Sequence, residues 1–230
     1  MSPKDLGIVL EYSLNDVNIL DETYKNIEKF KDRDELLVVP GFYGYNMDGD
    51  RLTFSRGGSD ISGAILARGL GCDIYENYTD MTYIYSANPS LFDNPAPIKN
   101  ISYAEMRELS YNVFEIFQED AVEPLLDTDI EIHFKNTNNP NEGGTIISKE
   151  RPDVDKNPII GMSDVGEFSS FKITEYLMNR KVGYIKNVLD IFQYMHIPVE
   201  HIPTSIDSIS ILVRSEYLED SSKKSSIVNA

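Results

Sequence analysis

A chain of 230 residues is long enough to bury a substantial core, as one large domain or two small ones. Hydrophobic residues at 41% and aromatics at 10% describe a folded chain rather than a disordered one. With 21 Lys and Arg against 38 Asp and Glu, the net charge of −17 excludes the clustered cations that a phosphate backbone or an anionic membrane surface requires, so neither partner is expected. The single cysteine, Cys72, cannot form an internal disulfide and fits a reducing compartment. No run is long and apolar enough to span a bilayer, and Met1-Ser2-Pro3-Lys4-Asp5 lacks the charged-then-apolar pattern of a signal peptide. The expected setting is cytoplasmic.

In chain order, residues up to about 34 are mixed and polar, with one apolar run at Leu6 to Leu10. Leu36 to Val39 reads as a short strand ended by Pro40-Gly41, and Leu52 to Phe54 as the strand that returns after a glycine and aspartate turn. Ile61, Ala64, Ile65 and Leu70 recur at helical spacing, which predicts a helix over Asp60 to Leu70, capped by Ser59 or Asp60 and ended at Gly71. Cys72 to Tyr75 and Tyr83 to Tyr85 are short strands. Helices are expected over Tyr103 to Tyr111 and Glu119 to Leu126. Ile130 to Phe134 and Thr145 to Ser148 are strands around an Asn- and Gly-rich loop. Strands alternating with helices imply an α/β fold with a mostly parallel sheet between helices. Residues 151–157 are charged and without apolar periodicity, and read as a linker. Beyond it, strands are expected at Ile159 to Met162, Phe168 to Ile173, Ile197 to Ile202 and Ile209 to Val213. Val182, Ile185, Val188, Leu189, Phe192 and Met195 form the stripe of an amphipathic helix. Ser221 to Ala230 reads as a frayed end.

The densest chemical signal is Phe54-Ser55-Arg56-Gly57-Gly58-Ser59-Asp60, between a strand and a helix. A helix N-terminus offers free N–H groups and a positive dipole end. Paired glycines admit a ligand close to the backbone. Arg56 can grip a carboxylate with two parallel hydrogen bonds, and Asp60 can pair with an ammonium, so the set suits a zwitterionic amino acid. Taken alone, the segment reads first as a glycine turn and a helix cap. Tyr75-Glu76-Asn77-Tyr78-Thr79-Asp80 leads into a loop where α/β sheets bind ligands, with Thr79, Asp80 and Tyr85 placed for a nucleotide; the competing reading is a turn with surface tyrosines. Lys135 precedes Asn136-Thr137-Asn138 and can reach a phosphate, or simply leads into an Asn-rich turn. His133, His196 and His201 have no metal-ligand spacing, and no metal site is assigned.

Jointly these segments resemble aspartokinases of the amino acid kinase family. Pro40-Gly41-Phe42-Tyr43-Gly44, Thr53 to Asp60, Tyr75 to Asp80, Ser102 to Tyr111 and Lys135 to Asn138 follow the family's order and spacing. The resemblance implies the C-terminal half of an amino acid kinase domain over 1–150 and a partial ACT regulatory domain, an α+β ferredoxin-like unit, over 158–218. A flexible tail at 219–230 would follow. The ACT likeness rests on Tyr176 to Tyr184 and Ile197 to Asp207. The implied activity is phosphoryl transfer from ATP with Mg2+ to the side-chain carboxylate of L-aspartate, giving 4-phospho-L-aspartate for lysine, threonine and methionine biosynthesis. By that likeness Phe42, Arg56, Gly57, Gly58, Ser59 and Asp60 face the substrate. Thr79, Asp80, Tyr85 and Lys135 face the nucleotide. Met178, Ile185, Val199 and Glu200 face an effector, lysine or threonine.

The family's opening Lys-Phe-Gly-Gly-Ser motif does not occur in these residues. Tyr83 stands where the family favours glycine, and Ser90 where it favours arginine. The expectation is therefore a chain inactive alone, which forms a homo-oligomer or associates with a complementary kinase half. The alternative is a non-catalytic amino-acid-binding module acting through its ACT portion.

Overall fold

The computed structural model describes residues 1–13, 17–54, 57–111, 119–162, 166–219 and 221–229. They divide into two compact units, Met1–Asp164 and Val165–Ala230. The division falls later than the segment 151–157 that reads as a linker. The reason is Arg151, whose side chain is 1% exposed. Its guanidinium donates to both carboxylate oxygens of Glu105 at 3.1 Å, to Asp153 at 2.9 Å and to the Asn157 carbonyl at 2.6 Å. A buried charge needs such partners, and the pair with Glu105 ties this segment to the first unit.

The first unit opens with elements the sequence reading left undefined. Helix α1 (Pro3–Leu6) starts at a capping box, Ser2 and Asp5 satisfying each other's backbone N–H, with proline in the first turn and Gly7 closing it. Strands β1 (Leu10–Tyr12) and β2 (Val17–Ile19) pair antiparallel, and α2 (Asp21–Glu28) buries Ile27. The strand expected over Leu36 to Val39 does not form: Leu36 is 93% and Val38 75% exposed, and only Val39 packs against the core. Strands β3 (Tyr43–Tyr45) and β4 (Arg51–Thr53) form a hairpin.

Helix α3 (Gly58–Leu70) follows, and buries Ile61, Ala64, Ile65 and Ala67. Its small residues let neighbours in closely: a Cβ on Gly69 would stand 2.6 Å from Ile27, so α2 crosses against bare backbone. The chain then runs through β5 (Ile74–Thr79), β6 (Ile84–Tyr85), β7 (Pro97–Ile98), β8 (Asn100–Ser102) and α4 (Tyr103–Tyr111). The expected helix near Glu119 is a 3-10 segment, Glu119–Leu125, with Pro124 inside it. Strands β9 (Glu131–Asn136) and β10 (Thr145–Ser148) complete the central sheet, in the order β5-β9-β10-β8.

Two of its three pairings are parallel, β5 with β9 and β10 with β8. The third, β9 with β10, is antiparallel because the Asn-rich segment between them turns back directly. Gly144 makes that turn possible: at φ 67, a Cβ there would lie 2.0 Å from the Phe134 carbonyl oxygen. The mixed α/β architecture is the one the element order predicts.

In the second unit, β11 (Phe168–Thr174) and β12 (Ser208–Arg214) pair antiparallel across seven residues. Helix α5 (Tyr184–Tyr194) supplies Val188 and Phe192 to a core with Ile209, Ile211 and Val213. The strand expected over Ile197 to Ile202 reduces to an isolated bridge, His201 with Leu212, and that expected over Ile159 to Met162 is absent. The end that reads as frayed is helix α6 (Ser221–Asn229), whose Ile227 is 8% exposed and joins this core. No helix among the described residues is long and apolar enough to cross a membrane.

Candidate functional site

Helix α3 runs antiparallel to β5, so its N-terminus returns to the edge where β5 and β9 end. In open α/β sheets this carboxyl edge is where ligands bind. Gly57 caps the helix in the left-handed conformation at φ 67, and no side chain caps it, so the expected Ser59 or Asp60 cap is not made. Ser59 is exposed and Asp60 half-buried in the first turn, where the helix dipole favours an anion.

Asp60 is tied to β5. The Asn77 side-chain amide donates to its carboxylate at 2.9 Å and to the Tyr75 hydroxyl at 3.0 Å. The Tyr75 hydroxyl in turn donates to the Asp60 main-chain carbonyl at 3.2 Å. Burial, moderated by the Asn77 hydrogen bond and reinforced by the Asp60 charge, pushes the Tyr75 phenol up to about 12, so it stays a neutral donor. Gly63 gives the phenol its room: a Cβ there would lie 2.4 Å from the hydroxyl oxygen.

Phe42 lies against the same helix end. Its N–H donates to the Ser62 hydroxyl at 2.9 Å, and that hydroxyl donates to the Gly58 carbonyl at 2.6 Å. Its ring packs where a Cβ on Gly58 would stand, 2.9 Å away. Phe42 has φ 83, an unfavourable conformation for an aromatic residue, and the residue stays 45% exposed. Arg56 lies outside the described residues. Phe42, Gly57, Gly58, Ser59 and Asp60 are thus brought together around one helix end.

The residues assigned to a nucleotide are brought together less completely. Thr79 ends β5, and its hydroxyl donates to Asp80 at 3.2 Å. The Asn136 amide joins the two strand ends by donating to the Asp80 carbonyl at 3.2 Å and to the Thr82 hydroxyl at 2.9 Å. Lys135 points to the sheet face opposite Asn77. There it donates to Glu76 at 2.7 Å and lies 5.6 Å from the Tyr78 ring centre. Hydrogen bonding and the opposite charge raise the Lys135 ammonium pKa and lower that of Glu76. Tyr85, in β6, pairs with Pro97. Among the described residues, no three of His, Cys, Asp and Glu converge as metal ligands would.

In the second unit Met178 is buried in the core and Val199 packs against it, whereas Ile185 is 39% exposed. The Glu200 carboxylate, 8% exposed, accepts from Arg214 at 2.9 Å.

Sequence reasoning missed Asn77, Tyr75, Ser62 and Gly63. The signal for Asn77 was present. In a strand, alternate residues share a face, and Tyr75, Asn77 and Thr79 share the inner face of β5. A polar residue at an inward position calls for a partner.

The mixed α/β fold is that of a known protein family. Residues 2–136 match the model of the amino acid kinase family, and the chain belongs to it. Aspartokinase 3 of Bacillus subtilis is 40% identical over 227 residues, covering 99% of this chain and 50% of that protein. Chloroplastic aspartokinase 1 of Arabidopsis thaliana is 26% identical over 213 residues, covering 90% of this chain and 37% of that protein. The chain thus spans about half or less of these relatives. Among solved structures, the aspartate kinase of Clostridium acetobutylicum superposes with a TM-score of 0.82 at 33% identity, over 100% of this chain and 52% of that one. E. coli aspartokinase III, solved with lysine and aspartate, gives 0.71 at 18% identity, a likeness of fold alone.

Proposed function

We propose that this chain forms the amino-acid-binding part of an aspartate kinase site, in which ATP with Mg2+ phosphorylates the side-chain carboxylate of L-aspartate to 4-phospho-L-aspartate. The observation that carries this reading is the Asp60 carboxylate in the first turn of α3, held from β5 by Asn77 beside a strained Phe42. Backbone strain concentrates at functional sites, where the surrounding structure over-determines it. In this reading Asp60 takes the substrate ammonium. The backbone of Gly57 and Gly58 and the Arg56 guanidinium take the α-carboxylate. Aspartate is one of the two amino acids named with the E. coli relative, lysine being the other, and the 40% identical relative is an aspartokinase.

The nucleotide would occupy the carboxyl edge at Thr79, Asp80 and Tyr85. Lys135 serves a phosphate there only by exchanging Glu76, a partly exposed pair of the kind that is readily given up. ATP supplies the phosphoryl group; the residues named here bind and orient its acceptor. The lysine and glycines of a Lys-Phe-Gly-Gly motif do not occur in the 230 residues, so this chain alone is expected to bind L-aspartate without turning it over. Calorimetry with L-aspartate and a hydroxamate assay with Mg-ATP test both statements. Absence of binding overturns the site, and robust turnover overturns the inactivity.

A second reading concerns the second unit, in which a strand pair covered by a helix supports an ACT-like module for lysine or threonine around Met178, Ile185, Val199 and Glu200. The buried Glu200 carboxylate is suited to an effector ammonium, in competition with Arg214. Titration with either amino acid, with and without Glu200→Gln, tests it; no binding at millimolar concentration removes it. Assembly into a homo-oligomer, or with a complementary kinase segment, is measured by light scattering, where a monodisperse monomer argues against both.

A further inference from the structure

We propose that Asn77 is a positioning residue that fixes the Asp60 carboxylate for the cationic group of an amino-acid substrate, with Tyr75 and Gly63 holding Asn77 in place. The inference rests on the reading of Asp60 given above and adds residues that reading did not need.

A carboxylate only accepts hydrogen bonds, so the side-chain amide facing Asp60 must present its NH2 group. Both of its protons are then used, one on the Asp60 carboxylate at 2.9 Å and one on the Tyr75 hydroxyl at 3.0 Å. The phenol closes the circuit by donating to the Asp60 carbonyl at 3.2 Å. Asp60 is therefore held from β5 at two points, its side chain and its main chain, by residues two apart on one strand face. Asn77 is 8% exposed, and its burial makes the contact count: water does not compete for the donor. The Tyr75 phenol, pushed up to about 12 by burial, keeps the proton that the circuit requires. Gly63 is the spacer, because any side chain there would meet the phenol oxygen at 2.4 Å and force it away.

A packing role alone does not call for this chemistry. An apolar residue of the same size would fill an inward strand position without the cost of burying an amide. The amide earns its place by orienting an anion at a helix N-terminus.

The test compares two ligands on the full 230-residue chain, L-aspartate and succinate, which differ by the α-ammonium. If Asn77 acts through Asp60, Asn77→Leu reduces the preference for L-aspartate over succinate by about tenfold, the scale of one hydrogen bond to a charged group. Tyr75→Phe produces a smaller loss in the same direction. Asn77→Leu adds nothing further in an Asp60→Asn background. Equal weakening of both ligands, or additive losses in the double variant, overturns the proposal.

A second measurement does not depend on ligand. The Asn77 side-chain amide resonances, observed with asparagine labelled in heavy nitrogen, shift and lose exchange protection in Asp60→Asn. Unchanged resonances overturn the positioning role. A wild-type chain that binds neither ligand refutes the aspartate reading instead, and the amide resonances then decide the positioning role by themselves.

Discussion

Strands β5 and β9 carry polar clusters on both faces, and the two behave differently. On the inner face, Asn77, Tyr75 and Asp60 exchange hydrogen bonds beside Phe134, which is 0% exposed. On the outer face, Glu76, Lys135 and Tyr78 make bonds of similar length within reach of water. Residues adjacent in sequence thus enter opposite environments. Hydrogen-bond length does not rank the two clusters; burial does, since an inner group that loses its partner has no water to replace it.

The largest effect expected from this contrast is at Phe134. Phe134→Ala removes a buried ring from β9 and costs about 3–5 kcal/mol in denaturant unfolding. Its neighbour Lys135 faces outward, and Lys135→Ala leaves the unfolding midpoint nearly unchanged. A comparable loss at both positions would break the comparison.

Next is Gly63→Ala, which drives a methyl against the Tyr75 hydroxyl. Overpacking of this kind costs about 1–3 kcal/mol. The variant Gly63→Ala with Tyr75→Phe recovers part of the loss if the phenol oxygen is the obstacle, as thermal melts would show.

Buried phenols also set an alkaline limit. The Tyr75 and Tyr103 phenols are both pushed up to about 12, chiefly by burial. The unfolded chain ionises these tyrosines near their ordinary value, about 10, while the folded chain still holds their protons. Their contribution is complete below pH 10 and is lost as pH rises towards 12. Tyr75→Phe should flatten that fall, and an unchanged alkaline profile would count against its burial.

Smallest is the acid response, which sharpens the contrast using a second ion pair. Burial raises the Glu105 carboxyl, but the Ser102 N–H and hydroxyl and the Arg151 guanidinium outweigh it and hold the group below its ordinary value. Its contribution is present above the unfolded pKa and is lost as pH falls through the folded one. The exposed Glu76 is lowered too, by Lys135. Melting at acid pH should respond to Glu105→Gln more than to Glu76→Gln, and high salt should weaken only the Glu76 pair. A reversed order would show that burial is not what separates the pairs.

Several parts of this molecule were legible from residue order. Helix α3 was marked by apolar spacing and by Gly71 at its end, β9 and β10 by runs around an Asn- and Gly-rich turn, and α5 by its stripe. The Gly57 to Asp60 segment stood out because a strand, a glycine pair and a helix start stand together, whereas Phe42 was marked only by the family resemblance. Other parts were not. Leu36 to Val39 has strand composition, but no neighbouring edge receives it, and an unpaired run does not become a strand. Tyr75 and Asn77 lie in a segment that was singled out only for Thr79 and Asp80; they matter because α3 returns its first turn to their side of β5.

The sequence by itself determined the α/β alternation, the apolar spacing of α3 with its Gly71 stop, and the family resemblance, since these depend on residue type and short-range spacing. Tertiary structure alone decided which face of β5 meets Asp60, that Lys135 turns away to Glu76, and that Arg151 is buried. Those outcomes depend on which distant surfaces meet and on how much water remains between them, and no local pattern in the chain encodes either.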